Sequence, residues 1–207
     1  MNSKSFYKLS YGLYLVSSNF EGKQNGCISN TIVQVSSKPE KLAVALSKDN
    51  FTTGIVKKSG HFNATVLSQE IGMDVIGDFG FKTGMDIDKF KKYNTEFDKF
   101  GTKYISDNMS AMFSCKVLDS VDVGSHIMFI GEVEEANVLS DKPVMTYEYY
   151  HQVKNGTTPK NSPSYQAQTE KTGYRCTICG HIIEVDELPK GFTCPICGNP
   201  REYFEKI

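Results

Sequence analysis

Two Cys-x-x-Cys pairs near the end of the chain constrain it more than any other feature. Cys176-Thr-Ile-Cys179-Gly180 and Cys194-Pro-Ile-Cys197-Gly198 are separated by 14 residues, 180 to 193. Four of the six cysteines fall between positions 176 and 197. Two residues between sulfurs let one tight loop offer both thiolates to one metal ion. Two such loops close a tetrahedral S4 site. The glycine after each pair can turn the chain at positive φ and aim backbone N–H groups at the sulfurs. Cys176, Cys179, Cys194 and Cys197 are therefore expected to hold one metal ion.

An S4 site suits zinc or a single iron. A structural zinc ribbon is the commoner use of paired knuckles among proteins at large. The surroundings here point to iron. Tyr174 and Phe192 precede cysteines, and Tyr203 and Phe204 follow the last one closely. Such aromatics can wrap an exposed metal loop and lower its dielectric. On these residues, 174–207 resembles rubredoxin, the Fe(Cys)4 one-electron carrier. The short gap between knuckles is similar to the truncated rubredoxins appended to larger redox proteins.

Disulfides are the weaker reading of the cysteines. Met-Asn-Ser-Lys-Ser-Phe has no apolar run of the signal-peptide kind, and no stretch approaches the ~18 apolar residues of a membrane span. A cytoplasmic home, where thiols stay reduced, is the expectation. Cys27 and Cys115 are unpaired by pattern, and Cys115 reads as core. With a net charge of -1, no nucleic-acid or anionic-membrane partner is indicated.

Ahead of the knuckles the chain reads as mainly β with short helices. Gly12–Val16 is a strand, and Asn25-Gly26 signals a hairpin turn. Residues 27–35 form the next strand, broken at Ser36–Pro39. Leu42–Leu46 follows. A short helix spans Phe51–Ser59 and stops at Gly60, with Thr52 or Thr53 as its cap on the plainer reading. Phe62–Leu67 is a strand, and Ile71, Val75 and Ile76 mark a helix over 68–81. Asp86–Phe90 reads as a helical turn and 93–108 as irregular. Met109–Leu118 and His126–Ala136 are strands around a turn at 119–125. Met145–Tyr150 is aromatic and reads as closing the sheet. The polar, proline-bearing stretch 153–172 reads as a linker.

This first part resembles the flavin reductase family, which folds as an FMN-binding split β-barrel. The resemblance rests on Asn25–Thr31, Gln34-Val-Ser36 with Pro39, Ser47–Thr53, Phe62–Leu67, Asp88–Phe90 and Gly124–Gly131. It implies that Asn25, Gly26, Cys27, Ile28, Ser29, Asn30 and Thr31 cradle the edge of FMN. It implies that Ser47, Lys48, Asn50, Phe51, Thr52 and Thr53 lie at its ribityl phosphate, with Lys89 as a nearby cation. His126 would face the flavin or a nicotinamide. Plainer roles stand beside these: a strand-end histidine, a solvated lysine at 89, and core for Tyr149 and Tyr150 rather than a nicotinamide shelf. His61, His151 and His181 carry no signal.

The expected organisation is a split barrel over 1–152, a linker over 153–172 and a rubredoxin-like metal-knuckle domain over 173–207. The composite resembles the high-molecular-weight rubredoxins of anaerobes. That resemblance implies NAD(P)H as donor, FMN and one iron as cofactors, a homodimer, and a flavodiiron protein as soluble acceptor. Two other classes remain open: an FMN and iron carrier reduced by another protein, and a zinc-ribbon interaction protein. No GxGxxG fingerprint occurs, so a nicotinamide would bind without a Rossmann domain.

Overall fold

The computed structural model describes residues 3–85, 87–154, 158, 162 and 172–207. β1 (Tyr14–Phe20) and β2 (Lys23–Ser29) form an antiparallel hairpin in which Phe20 faces Lys23. The turn is therefore Glu21-Gly22, at φ 49° and 79°. Both values suit a two-residue hairpin loop. Asn25-Gly26, expected as the turn, lies inside β2. Gly26 is needed there for packing: a Cβ would meet Leu15 at 3.1 Å and Phe79 at 3.2 Å.

The expected single strand over 27–35 is broken at Asn30-Thr31. β3 (Ile32–Ser37) begins after the break and pairs with β4 (Glu40–Ser47). β5 (His61–Leu67), β8 (Met109–Asp122) and β9 (His126–Val138) complete a seven-stranded sheet of order β2-β1-β5-β8-β9-β4-β3. β2 and β3 are its two outer strands, yet only two residues join them. The sheet must therefore curl until its edges meet. The Ala45 N–H to Thr31 carbonyl bond, 3.1 Å, extends the β3–β4 ladder up to that seam. The result is a barrel, and the chain is mainly β, as read from sequence.

Two cores follow from strands buried on both faces. One holds Val16, Val44, Phe62, Ala64 and Phe129, capped by Val56 of α1 (Phe51–Ser59). The other, on the far side of the sheet, holds Leu15, Leu67, Met109, Met145 and the helices α2 (Met73–Phe81) and α3 (Tyr147–Gln152). Cys115 is fully buried, as expected of core.

Five further expectations need correction. Residues 68–72 stay outside α2, which begins after Gly72. Residues 87–93 form turns rather than a helical turn, and Asp86 lies outside the described residues. The stretch read as irregular contains a small hairpin, β6 (Thr95–Phe97) with β7 (Lys103–Ile105). Buried Asp98 orders it, accepting from Ser114 Oγ at 2.7 Å, Asn63 Nδ2 at 3.2 Å and the N–H groups of Phe100 and Thr102. Finally, the aromatic run after Met145 is helical. Thr146 caps α3 by accepting from Tyr149 N–H at 3.1 Å, which overrides the β preference of tyrosines. The turn expected at 119–125 is also shorter, because β8 runs on to Asp122.

The C-terminal region is a three-stranded sheet, β10 (Tyr174–Cys176), β11 (Ile182–Ile183) and β12 (Phe204–Lys206), with β10 central. The linker expected over 153–172 lies largely outside the described residues. No helix among the described residues is long and apolar enough to cross a membrane.

Candidate functional site

The two knuckles repeat one hydrogen-bond scheme. Gly180 N–H donates to Cys176 O at 2.8 Å, and Gly198 N–H to Cys194 O at 2.9 Å. Cys176 N–H donates to His181 O at 2.8 Å, and Cys194 N–H to Asn199 O at 2.7 Å. Gly180 and Gly198 take φ of 78° and 70°, the left-handed turn the sequence required. The scheme brings all four sulfurs within 4.8 Å of one another. Cys176 and Cys197 Sγ are 3.7 Å apart, and Cys179 and Cys194 Sγ 3.5 Å. A tetrahedron with ~2.3 Å metal–sulfur bonds has edges of about 3.8 Å. The sulfurs thus stand at ligand spacing, far beyond a disulfide bond.

Contacts with Cys179 and Cys194 hold the Cys176 thiol well below its ordinary range. The same contact with Cys176 pushes Cys179 and Cys194 up. Four thiols crowded this closely cannot all ionise unless a cation sits among them, so the donor set fits a thiophilic metal ion. Asn199 Nδ2 adds a donor to Cys197 Sγ at 3.1 Å.

A second site lies in the barrel region. A cleft of about 650 Å³, its open mouth included, sits where the β2–β3 seam, the end of β4, α2 and α3 converge. Of the expected residues, Cys27, Ile28, Ser29, Asn30, Ser47, Asn50 and His126 line it. Asn25, Gly26, Thr31, Lys48, Phe51, Thr52, Thr53 and Lys89 do not. Sequence reasoning missed Leu13, Ala45, Leu46, Ile76, Gly80, Phe81 and Tyr147. Apolar α2 residues give no local sign that a ligand space lies beside them. Tyr150 is 2% exposed and also lines the cleft, so the core and the shelf readings meet in one residue, whereas Tyr149 does not line it.

Asn50, not Thr52 or Thr53, caps α1, accepting from Thr52 N–H at 2.9 Å. Asn50 itself lines the cleft, so the positive end of α1 lies at its edge. Thr53 Oγ1 donates to Ser47 O at 2.7 Å and so holds the preceding loop to the helix. Asn25 Nδ2 donates to Thr52 Oγ1 at 3.0 Å, while Asn25 Oδ1 is buried without a hydrogen-bond partner among the described residues. Lys89 is not a solvated helix lysine. It is 5% exposed, donates to Gly26 O at 3.0 Å, and burial lowers its pKa. Burial raises the thiol of neighbouring Cys27. Lys48 is exposed and paired with Asp122 at 2.7 Å. Ser125 Oγ and His126 Nδ1 share a hydrogen bond of 2.8 Å, which fixes the imidazole at the start of β9. Apolar walls, amides, hydroxyls and a helix N-terminus at the edge suit a planar anionic ligand such as a flavin nucleotide.

The comparisons agree with this division. A flavin reductase like domain matches residues 6–157, and a rubrerythrin, rubredoxin-like domain matches 174–205. The chain belongs to the flavin reductase-like family and carries a C-terminal rubredoxin-like domain. It is 36% identical over the full length of both chains to the high molecular weight rubredoxin of Moorella thermoacetica. It is 41% identical to a ferric-chelate reductase (NAD(P)H) of Archaeoglobus fulgidus, covering 80% of this chain and 98% of that one. An NADH:FAD oxidoreductase of Streptomyces globisporus shares the barrel fold, with a TM-score of 0.64, 19% identity, and 69% and 83% of the two chains covered. The protein is a flavin reductase-like oxidoreductase fused to a rubredoxin-like module, an arrangement consistent with electron transfer between a flavin and iron.

Proposed function

We propose that the protein oxidises NAD(P)H at FMN in the barrel cleft and delivers electrons singly through an Fe(Cys)4 centre to a soluble acceptor. The bound flavin supplies two-electron acceptance with one-electron release, and the iron supplies one-electron exchange. The observation that carries this reading is the coexistence, in one chain, of a cleft at the barrel seam beside a helix N-terminus and an S4 cluster at metal–ligand spacing.

The chain's own residues position and insulate. The α1 N-terminus, with Ser47 and Asn50, binds the phosphate; Thr52, Thr53 and Asn25 brace that turn from behind. Lys48 and Phe51 flank it. Backbone groups of Cys27 to Asn30, which line the cleft, would hold the ring edge, while Gly26, Thr31 and the buried Lys89 support that segment from outside it. His126, with Tyr150, borders the position of the nicotinamide. The relative that reduces ferric chelates with NAD(P)H supports the donor. The likeness to high-molecular-weight rubredoxins supports a flavodiiron acceptor that reduces dioxygen or nitric oxide.

The reading includes a homodimer. Val33, Val121, Met128 and Ile130 share the outward face of the barrel wall, opposite core-facing Val44, Ile127 and Phe129. Val33 and Val121 are 58% and 48% exposed, an apolar face that a second copy would cover. Ala45, on that face, also lines the cleft. Light scattering is expected to give twice 23.1 kDa.

The deciding experiment is anaerobic mixing of the purified protein with NADH and, separately, NADPH, following the visible spectrum, after metal analysis. Bleaching of the flavin followed by bleaching of the iron bands is expected. A flavin untouched by either nucleotide would make the protein a carrier reduced by another protein. Zinc without iron would make the module structural.

A further inference from the structure

The two knuckles have the same internal geometry and opposite surroundings. Ile178 and Ile196 occupy equivalent positions, each directly before the second cysteine of its pair. Ile178 is 40% exposed, whereas Ile196 is 5% exposed. What covers Ile196 is α2 of the barrel domain. A Cβ at Gly77 would overlap the Ile196 carbonyl oxygen, and the Cys197 Cα lies 3.5 Å from the same point. Met73 and Phe81 pack against the cysteine cluster on either side. Met73, Gly77 and Phe81 are four residues apart, so they form one stripe along the helix. Ile76, Gly80 and Phe81 of the same helix line the cleft. One helix is therefore the wall between the two sites, with Phe81 touching both. At Gly77 on one side and Gly80 on the other the wall is bare backbone. A helix of ~2.3 Å Cα radius with no side chain at those points is the thinnest partition this secondary structure allows.

We propose that α2 is the built seat of the second knuckle, and that Gly77 is a positioning residue that sets the separation between the cleft and the metal cluster. The Cys194–Cys197 knuckle is then the entry face for electrons. The proposal rests on the electron-transfer reading above. In that reading each event moves one electron, oxidising the flavin and reducing ferric to ferrous iron, with no bond made or broken. The seat makes this transfer a property of the packed chain rather than of a chance encounter at the end of a linker.

The test compares full-length protein carrying flavin with iron or with zinc in the knuckles. Ferric iron broadens NMR signals of nearby nuclei and zinc does not. The amides of Met73, Gly77 and Phe81 are expected to be broadened in the iron form of the wild type. Gly77→Val, which clashes with backbone and cannot be relieved by a rotamer change, is expected to restore those signals. The same variant should keep its metal and slow iron reduction at least tenfold. Gly80→Ala, whose Cβ would meet only ordinary contacts at 3.6 Å and beyond, is expected to keep the broadening, which controls for changes in the helix itself. Should Gly77→Val not fold, Gly77→Ala supplies the same comparison in smaller degree. Identical α2 signals in the iron and zinc wild types would overturn the seat. Normal broadening with iron that stays ferric after the flavin bleaches would overturn the electron-flow reading instead, so the two failures are distinguishable.

Discussion

The first and second knuckles are near-copies of one another with different neighbours. Each has two cysteines, a left-handed glycine and the same pair of backbone hydrogen bonds. The first shows its isoleucine to solvent and the second presses it onto α2. The comparison separates two layers of specification. Ligand geometry is local: it follows from spacing and from glycine, and it is equal in both loops. Orientation is tertiary: it follows from a glycine on a helix more than a hundred residues earlier. Substitutions that act on ligation should therefore hit the knuckles equally, and those that act on packing should not.

The largest effect tests the equality. Cys179→Ser and Cys194→Ser each remove one ligand from an S4 site. Structural thiolate sites bind metal with about 10–16 kcal/mol of apparent free energy, and a 34-residue module has little other core. Both variants are expected to lose the metal and the module's fold by elemental analysis and circular dichroism, and to keep the flavin spectrum. Retention of metal by one and not the other would break the comparison.

The next effect tests the difference. Ile196→Ala empties a buried position and is expected to cost about 2–3 kcal/mol. Ile178→Ala changes an exposed one and should stay within about 0.5 kcal/mol. Thermal loss of the metal–thiolate absorbance measures both. Equal costs would mean that the second knuckle does not depend on its seat.

The legibility of the chain follows the same layering. The metal residues were readable because their spacing is the mechanism. The barrel was readable because strand order and motif order survive in sequence. What was hidden depended on distant partners. Asn25-Gly26 carries the strongest local turn signal, yet Gly26 serves packing against Leu15 and Phe79 while Glu21-Gly22 turns the chain. Lys89 looks like a surface residue until its bond to Gly26, 63 positions away, is known. Phe81 looks like the end of an amphipathic helix and proves to touch both sites.

A third prediction concerns the seat from its other side. Asp78 of α2 is 8% exposed. Burial alone would raise its pKa, but Lys82 at 2.7 Å, Lys92 at 2.8 Å and Tyr93 Oη at 2.7 Å outweigh burial and lower it. Asp74 lies in the same cluster, 3.8 Å from Lys92. A carboxylate with a depressed folded pKa adds stability above its unfolded value near 4, and that stability is lost as pH falls through the folded value. Asp78→Asn should therefore cost about 1–2 kcal/mol at pH 7, a figure discounted for the half-exposed lysines. The gap to wild type should begin to narrow at about pH 4 and shrink further as pH falls through the depressed folded value. Chemical denaturation at several pH values, followed through the flavin, measures this. A gap that does not narrow at all as pH falls below about 4 would show that the anchor is steric and not ionic.

The smallest effect lies inside the second knuckle. Asn199 Nδ2 donates to Cys197 Sγ at 3.1 Å. The equivalent position after the first knuckle is His181, an imidazole where the second knuckle has this amide. A hydrogen bond to a ligating sulfur withdraws charge from it and favours the reduced metal centre. Asn199→Ala removes the donor but leaves the Asn199 backbone carbonyl that holds Cys194. A bond worth ~1 kcal/mol corresponds to roughly 40 mV for one electron. The variant's iron potential is expected to fall by about that amount, measured by spectroscopic titration. His181→Ala is the parallel substitution at the outward knuckle, and the two shifts together show which knuckle sets the potential. A larger shift at His181 would place the electronic bias of the centre on the solvent side, and the asymmetry between the knuckles would then be one of packing alone.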